Sequence, residues 1–149
     1  MIVKNGSILF SKGKIGNAAI ADTDMKTTSG SNMGVVVDSN KSSIGASSYS
    51  IDVGKGTAEP AINDYSLSDT ISSSSISRGT SSSSYTSTGN LIITRPFTNN
   101  SAEDITITEL GMFVTVSNYT YMLARILLDV PRTITPNETA TFSYVVEFN

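Results

Sequence analysis

The chain has no cysteine, no histidine and no tryptophan, and each absence excludes a class of function. Without cysteine there is no disulfide, no thiolate metal site and no cysteine nucleophile. Without histidine the chain lacks the commonest general base and the commonest zinc ligand, and a Ser-His-Asp triad is excluded. Asp22 and Asp24 are spaced as in a calcium loop, but the other ligand positions of such a loop are missing. We therefore expect no enzyme activity, no cofactor and no metal site.

Charge and long apolar runs are also scarce. Only 15% of the 149 residues are charged and the net charge is −3, so no basic surface is available for nucleic acid. No apolar run is long enough for a signal peptide or a membrane span. We expect a protein made in the cytoplasm that has neither nucleic acid nor a membrane as partner.

Hydroxyl side chains are abundant instead. The 25 serines and 18 threonines make up 43 of the 149 residues. Such a composition is typical either of a disordered polar chain or of a β-rich protein whose solvent-facing strand positions carry Ser and Thr. The hydrophobic content of 38% and the presence of only four prolines favour the β-rich protein.

Alternating apolar and polar residues predict strands in the second half of the chain. They occupy residues 91–98, 105–116, 121–130 and 140–148, and short turns separate them. Two shorter strands are predicted around Val35–Val37 and Ser50–Val53. These strands predict an all-β fold, an antiparallel β-sandwich of jelly-roll or Ig-like type, over residues 35–149. Residues 1–34 are loose and polar, and they predict an N-terminal arm or edge segment.

Three segments have weaker patterns. The serine-rich residues 72–88 are interpreted either as a flexible linker or, preferably, as a hairpin that bends near Arg78-Gly79-Thr80. Residues 59–71 predict a turn and one helical turn. Gly54-Lys55-Gly56-Thr57 has the ending of a phosphate-binding loop, but it lacks the preceding glycine and the following helix.

The segment ITITELGMF, residues 105–113, contains the clearest candidate site. Glu109 stands where the alternation calls for an apolar residue, and Arg125 interrupts the apolar run of the next strand in the same way. An isolated buried charge is costly, so we predict that the two form a structural ion pair. A bulge at Gly111 is predicted to bring Glu109 within reach of Arg125. Arg95 is a competing partner, and catalysis by Glu109 as an acid is the functional alternative.

The order of three segments in the second half of the chain resembles a pattern found in virion proteins of tailed bacteriophages. The segments are TRPFTNNS, ITITELGMF and YMLARILLDVPRTITPNETATFSYVVEF. Upstream, VGKGTAEPAINDYSL resembles the Gly-x-Gly-Thr…Asp…Leu segment of those proteins. The resemblance covers roughly residues 51–149, and each matching piece is short.

The resemblance implies a non-enzymatic structural module of a phage particle. Arg95, Glu109, Gly111 and Arg125 match its recurrent positions, where they would determine the fold. Pro96 departs from the pattern, and because proline removes a ladder donor, it predicts an edge strand or a kink.

We therefore expect a virion protein assembled in the host cytoplasm, most readily a capsid-associated decoration or head-fibre protein. Its partners would be other virion subunits, in the capsid or at the head–tail junction, and further copies of itself in a homo-oligomer. A tail or collar component is an alternative within the same class. A carbohydrate-binding β-sandwich that contacts a host surface glycan is the second interpretation, with Tyr119 at a hairpin tip as the candidate contact.

Overall fold

The computed structural model describes residues 26–31, 49–87, 90–116 and 119–146, and all regular structure in them is β-strand. Seven strands follow one another along the chain: β1 Tyr49–Gly54, β2 Ile76–Arg78, β3 Ser82–Tyr85, β4 Leu91–Asn99, β5 Ile105–Val116, β6 Tyr119–Ile134 and β7 Thr139–Val146. Every pairing between them is antiparallel. The strands form two sheets packed as a sandwich, so the predicted all-β fold is confirmed.

The first sheet has the strand order β1-β5-β6. Its longest pairing is the β5–β6 hairpin, which the alternation of residues 105–116 and 121–130 predicted. β1 lies on the other side of β5, with Ile51 opposite Met112 and Val53 opposite Leu110. β5 is therefore the central strand of this sheet.

The second sheet is built around β4. β7 pairs with β4 along one side, from Leu91↔Val146 to Thr98↔Thr139. On the other side, β2 and β3 both run antiparallel to β4 and cover its two ends in succession. The hairpin predicted for residues 72–88 is therefore wrong, because the chain continues along β4 as one interrupted edge strand and does not fold back at Arg78-Gly79-Thr80.

Pro96 explains where that interruption falls. β4 is the central strand of its sheet, so the edge position predicted from Pro96 is wrong. The Gly79 N–H donates to the Pro96 carbonyl at 2.9 Å, which places the missing donor of Pro96 on the β2–β3 side. At that point, between β2 and β3, the chain stops pairing with β4. On the other side of β4, the pairing of Pro96 with Thr141 in β7 continues undisturbed.

The main core lies between the two sheets and contains alternate residues of every long strand. β7 shows the alternation most clearly, with Ala140, Phe142 and Tyr144 buried and the residues between them exposed. Phe142 meets Phe97 of β4 edge to face, with ring centroids 5.8 Å apart. The exposed positions carry hydroxyls, such as Thr98 and Thr139, whose Oγ1 atoms are 2.7 Å apart. The hydroxyl-rich composition thus covers the outer face of this sheet.

β5 changes the face that it buries between Ile107 and Glu109. The pairing with β6 shifts there, and Thr108 faces the four unpaired residues 128–131. Before the shift Ile107 reaches the main core, and after it Leu110, Met112 and Val114 do so. Glu109 therefore lies on the opposite face of the sheet, and not in the main core as strict alternation predicted.

Residues 55–70 cover that opposite face. They contain no helix, so the predicted helical turn is wrong, and a turn at residues 61–64 is closed by Ala61 N donating to Asp64 Oδ2 at 2.9 Å. Leu67 packs with Phe113 and Met122 in a small second core. We call residues 55–70 the covering loop.

Of the segment predicted to be an N-terminal arm, residues 26–31 are described. Thr28 N donates to the carbonyl of Thr120 in β6 at 3.0 Å, and Lys26 Nζ lies 5.5 Å from the ring centroid of Tyr65 in the covering loop. The remainder of residues 1–34, including Asp22 and Asp24, and the strand predicted at Val35–Val37 lie outside the described residues.

Candidate functional site

The Glu109 carboxylate is fully buried under the covering loop and accepts four hydrogen bonds. Oε1 accepts from the backbone N–H groups of Gly56 at 3.1 Å and Asp69 at 2.9 Å. Oε2 accepts from Ser68 N at 3.1 Å and from Arg125 Nε at 2.6 Å. The structure thus brings Glu109 and Arg125 together. Both ends of the covering loop also donate hydrogen bonds to Glu109.

Arg125 also contacts the covering loop directly, at Ala58 and Asp64. Its Nη1 is 2.8 Å from Asp64 Oδ2, and its Nη2 donates to the Ala58 carbonyl at 2.7 Å. The side chain is only 2% exposed. A buried ion pair is stabilising only if its remaining donors and acceptors are satisfied, and here the loop backbone and Asp64 satisfy them. We call Glu109, Arg125 and Asp64 the loop-anchoring cluster.

Gly54 and Gly56 give the Glu109 carboxylate the space that it occupies. A β-carbon on Gly54 would collide with Glu109 Oε1, and one on Gly56 would lie 2.5 Å from the same atom. The Gly-Lys-Gly sequence therefore does cradle an anion, but the anion is the protein's own carboxylate. The superficial likeness to a phosphate-binding loop has this physical origin.

Gly111 does not form the predicted bulge. It pairs in register with Arg125, and the register shifts lie on either side of it, between Ile107 and Glu109 and between Met112 and Phe113. A β-carbon on Gly111 would lie 2.7 Å from the Phe113 ring and 2.9 Å from Leu67 Cδ2. Glycine is required here because the Phe113 ring of β5 and Leu67 of the covering loop both pack directly onto it.

These contacts fix the ionisation of the cluster. Burial alone would raise the pKa of Glu109, but the hydrogen bonds from Asp69 N, Arg125 and Ser68 N outweigh it and hold the pKa below its usual 4.5. For Arg125, burial acts to lower the pKa, and Glu109 and Asp64 more than compensate, so its pKa is raised. The pair is ionised, enclosed and fully hydrogen-bonded. The covering loop separates the Glu109 carboxylate from solvent.

Arg95 belongs to a different cluster and does not contact Glu109. Its Nε donates to the Gly79 carbonyl at 2.8 Å and its Nη1 to the Ile51 carbonyl at 3.1 Å, so it joins β4 to the edge of β1. Nearby, Arg78 Nε lies 2.8 Å from Asp52 Oδ1. Arg95 and the Arg78–Asp52 pair together tie the second sheet to the first.

A cavity of about 420 Å³ lies beside this second cluster. Asp52, Arg95 and the small-core residues Leu67 and Phe113 line part of its wall. The rest of the lining consists of six hydroxyl residues, namely Thr28, Ser50, Ser66, Thr70, Thr115 and Thr120. Its volume falls in the range of about 300–1,000 Å³ that is typical of small-ligand sites, although its lining is more polar than usual.

Two further sequence predictions concern Tyr119 and metal binding. Tyr119 begins β6 and pairs with Val116, and its side chain lies outside the described part of the structure. Within the described residues no group of three or more Asp or Glu side chains is placed to hold a metal ion. In the same residues, no helix is long and apolar enough to cross a membrane.

No family model, no curated protein and no solved structure matches the chain.

Proposed function

We propose that the chain is a non-enzymatic structural component of a bacteriophage particle. In this proposal it is a capsid-associated auxiliary or decoration protein, or a head-fibre-type protein, that binds neighbouring virion subunits in a homo-oligomeric assembly. A tail or collar component is the alternative position within the particle.

One observation carries the proposal. Three segments that resemble the phage pattern are far apart in the sequence, and their residues Gly56, Glu109 and Arg125 meet at the loop-anchoring cluster, whereas Arg95 of the same pattern joins β4 to β1. Gly56 of the upstream segment contacts Glu109 of ITITELGMF, and Glu109 contacts Arg125 of the following strand. Residues that recur in a pattern because they determine a fold are expected to contact one another in this way. Recurrent residues of an active site would be expected to line an open cleft.

The surface of the sandwich also supports a structural role. Hydroxyl ladders, such as Thr94–Ser143 at 3.0 Å and Thr106–Thr133 at 3.0 Å, cover exposed strand positions without adding charge. A rigid, polar and weakly charged module suits a particle subunit that packs against many neighbours. Such subunits associate by surface packing and by addition of strands at sheet edges.

The test is mass spectrometry of purified particles of the phage whose genome carries this sequence. We expect peptides of the chain in intact virions, at a copy number comparable to other structural proteins. Separation of heads from tails before digestion assigns the position in the particle. Absence of the chain from intact virions, together with its presence in the soluble lysate, would overturn the proposal.

The cavity favours glycan binding as a second candidate function. Six hydroxyl residues, one carboxylate and one guanidinium match the donors and acceptors of a sugar, and Phe113 supplies an apolar patch. Arg95 donates Nε and Nη1 to backbone carbonyls, and its Nη2 donates no hydrogen bond to the residues that the structure describes, which leaves it for a ligand. The class of ligand that fits is a single polyhydroxylated sugar unit at the end of a surface glycan.

A glycan array probed with the purified chain tests this candidate. If the cavity is the site, Thr70→Val and Ser66→Ala abolish binding, whereas Thr141→Val on β7 of the other sheet leaves it unchanged. If Tyr119 at the hairpin tip is the contact, Tyr119→Ala alone abolishes it. The absence of any bound glycan with the wild-type chain would contradict both sites.

A further inference from the structure

β7 is a long and regular edge strand. Its eight residues pair with β4 without a register shift, from Leu91↔Val146 to Thr98↔Thr139. No strand among the described residues pairs with its other side. About half of its backbone N–H and C=O groups therefore point away from the sheet, in the arrangement that another strand can extend.

The other sheet edges are protected. On β1, Arg95 Nη1 occupies the Ile51 carbonyl, and the Arg78–Asp52 pair lies beside it. β2 and β3 have three and four residues, too short to offer a continuous edge. The start of β6 is covered by Thr28, and its later half carries Asp129, Pro131 and Arg132. Charge, proline, short strands and a covering segment are the devices by which proteins prevent edge-to-edge pairing.

Within the part of the chain that the structure describes, β7 has none of these devices. Thr139–Val146 contains no charged residue, no proline and no bulge. Its outward side chains are the hydroxyls of Thr139, Thr141 and Ser143, followed by Val145, which is 49% exposed. An exposed, uncharged edge of this length is expected to find a partner strand.

We propose that β7 pairs antiparallel with β7 of a second copy of this chain, which joins the second sheets of two copies across a two-fold axis. Antiparallel pairing of identical strands matches every outward donor with an acceptor by symmetry. Two copies that each carry a charge of −3 repel one another, and residues Thr139–Val146 of β7 add no charged side chain to that repulsion. At the start of the strand, Glu138 is already paired with Arg132 at 2.6 Å.

This pairing deepens the structural role proposed above, since it names a neighbouring subunit, and it rests on that role for its biological meaning. Its physical basis is the sheet edge alone. The two proposals can therefore fail separately: the function fails if the chain is absent from virions, and the pairing fails if the isolated protein does not associate through β7.

The absence of cysteine makes the pairing directly testable. Three variants of the full chain, each with a single cysteine, are oxidised mildly and analysed on a non-reducing gel. The substitutions are Thr141→Cys, Ser143→Cys and Val145→Cys. Disulfides form only when the two Cα atoms lie within about 4.4–6.8 Å, so only a position next to the two-fold axis reacts with its own copy. A position two residues further along is displaced by about 13 Å from its copy, because each strand residue advances about 3.3 Å in opposite directions.

We expect one of the three positions to cross-link at least tenfold faster than the others. Thr133→Cys is the matched control, because it is an exposed threonine on the edge strand β6 of the other sheet, and it should give no disulfide-linked dimer on the gel. Equal rates at all four positions would show random collision and would overturn the proposal.

A second measurement does not depend on cysteine chemistry. Sedimentation of the wild-type chain over a concentration series should show a monomer–dimer equilibrium, and Ser143→Lys should shift it at least tenfold toward the monomer. Thr106→Lys, on the first sheet, is the control and should leave the equilibrium unchanged. A monomeric wild-type chain at all concentrations, or dimerisation of Ser143→Lys equal to that of the wild type, would contradict the pairing.

Discussion

The carboxylate of Glu109 fills the space that a side chain on Gly56 would need. Gly56 N donates to Glu109 Oε1 at 3.1 Å, and a β-carbon on Gly56 would lie 2.5 Å from that oxygen. The two residues are 53 positions apart in the sequence, one on the covering loop and the other on the central strand of the first sheet. The covering loop is therefore fixed to the sheet through a buried anion, which makes its position sensitive to changes of a few atoms.

Gly56→Ala is expected to destabilise the protein by about 1–3 kcal/mol, the usual cost of forcing extra atoms into a packed site. The free energy of unfolding is measured in urea. The same substitution in a Glu109→Ala background should cost clearly less, because the colliding carboxylate is gone. Equal costs in the two backgrounds would show that the glycine is needed for another reason.

Glu109→Gln should lower the free energy of unfolding by about 3 kcal/mol. The amide presents donors to backbone N–H groups and leaves the Arg125 guanidinium without its charged partner, which is the costly way to break a buried pair. Glu103→Gln, at an exposed position, is the matched control and should change stability by less than about 0.5 kcal/mol. Unchanged thermal stability of Glu109→Gln would contradict the anchoring role.

The two charged residues of this pair can be recognised in the sequence because each interrupts an apolar run, and a buried charge needs a partner. The three other hydrogen bonds of Glu109 cannot be recognised there. They come from the backbone N–H groups of Gly56, Ser68 and Asp69, and such donors leave no side-chain signature. Gly54 and Gly56 were the available signal, since paired glycines permit close approach of a backbone to an anion.

The alternation of apolar and polar residues also could not predict the face of the sheet on which Glu109 lies. A shift in pairing with β6 between Ile107 and Glu109 reverses the side of every later residue of β5. The strands themselves survive such a shift, and the β5–β6 hairpin was correctly predicted for that reason, while β7 keeps a single register throughout. Arg95 has the same apolar phase as Arg125 in the sequence, but it reaches the edge of β1 because β4 belongs to the other sheet.

Stability should fall in acid through Glu109. Its pKa in the folded protein lies below the usual 4.5, so between these two values the unfolded chain binds more protons than the folded one. The stabilisation is therefore complete above about pH 4.5 and is lost as the pH falls through the pKa of the folded protein. Melting temperatures from pH 7 down to pH 3 should drop less steeply for Glu109→Gln than for the wild type.

Glu138 is the control for that titration. Hydrogen bonds from Thr135 lower its pKa too, although the side chain is at the surface beside Arg132. Glu138→Gln should leave most of the acid dependence in place. If Glu138→Gln flattened the profile and Glu109→Gln did not, the acid sensitivity would belong to the turn at residues 135–138 and not to the loop-anchoring cluster.

Asn99 gives the last prediction, since its buried side chain fixes the turn after β4. Its Nδ2 donates to the carbonyls of Glu103 at 2.7 Å and Ile134 at 2.9 Å, while its Oδ1 accepts from Ser101 N and Oγ. Asn99→Asp keeps the acceptor but removes both donors, and it leaves a charge in a site with no solvent exposure. We expect a loss of about 1–3 kcal/mol in the free energy of unfolding at pH 7.

Asn100→Asp is the matched control, because Asn100 is exposed and donates through its backbone to Ser75. Because protonation restores a neutral side chain with one donor, the deficit of Asn99→Asp relative to Asn100→Asp should shrink as the pH is lowered. A deficit that stayed constant with pH would attribute the loss to shape and not to the buried charge.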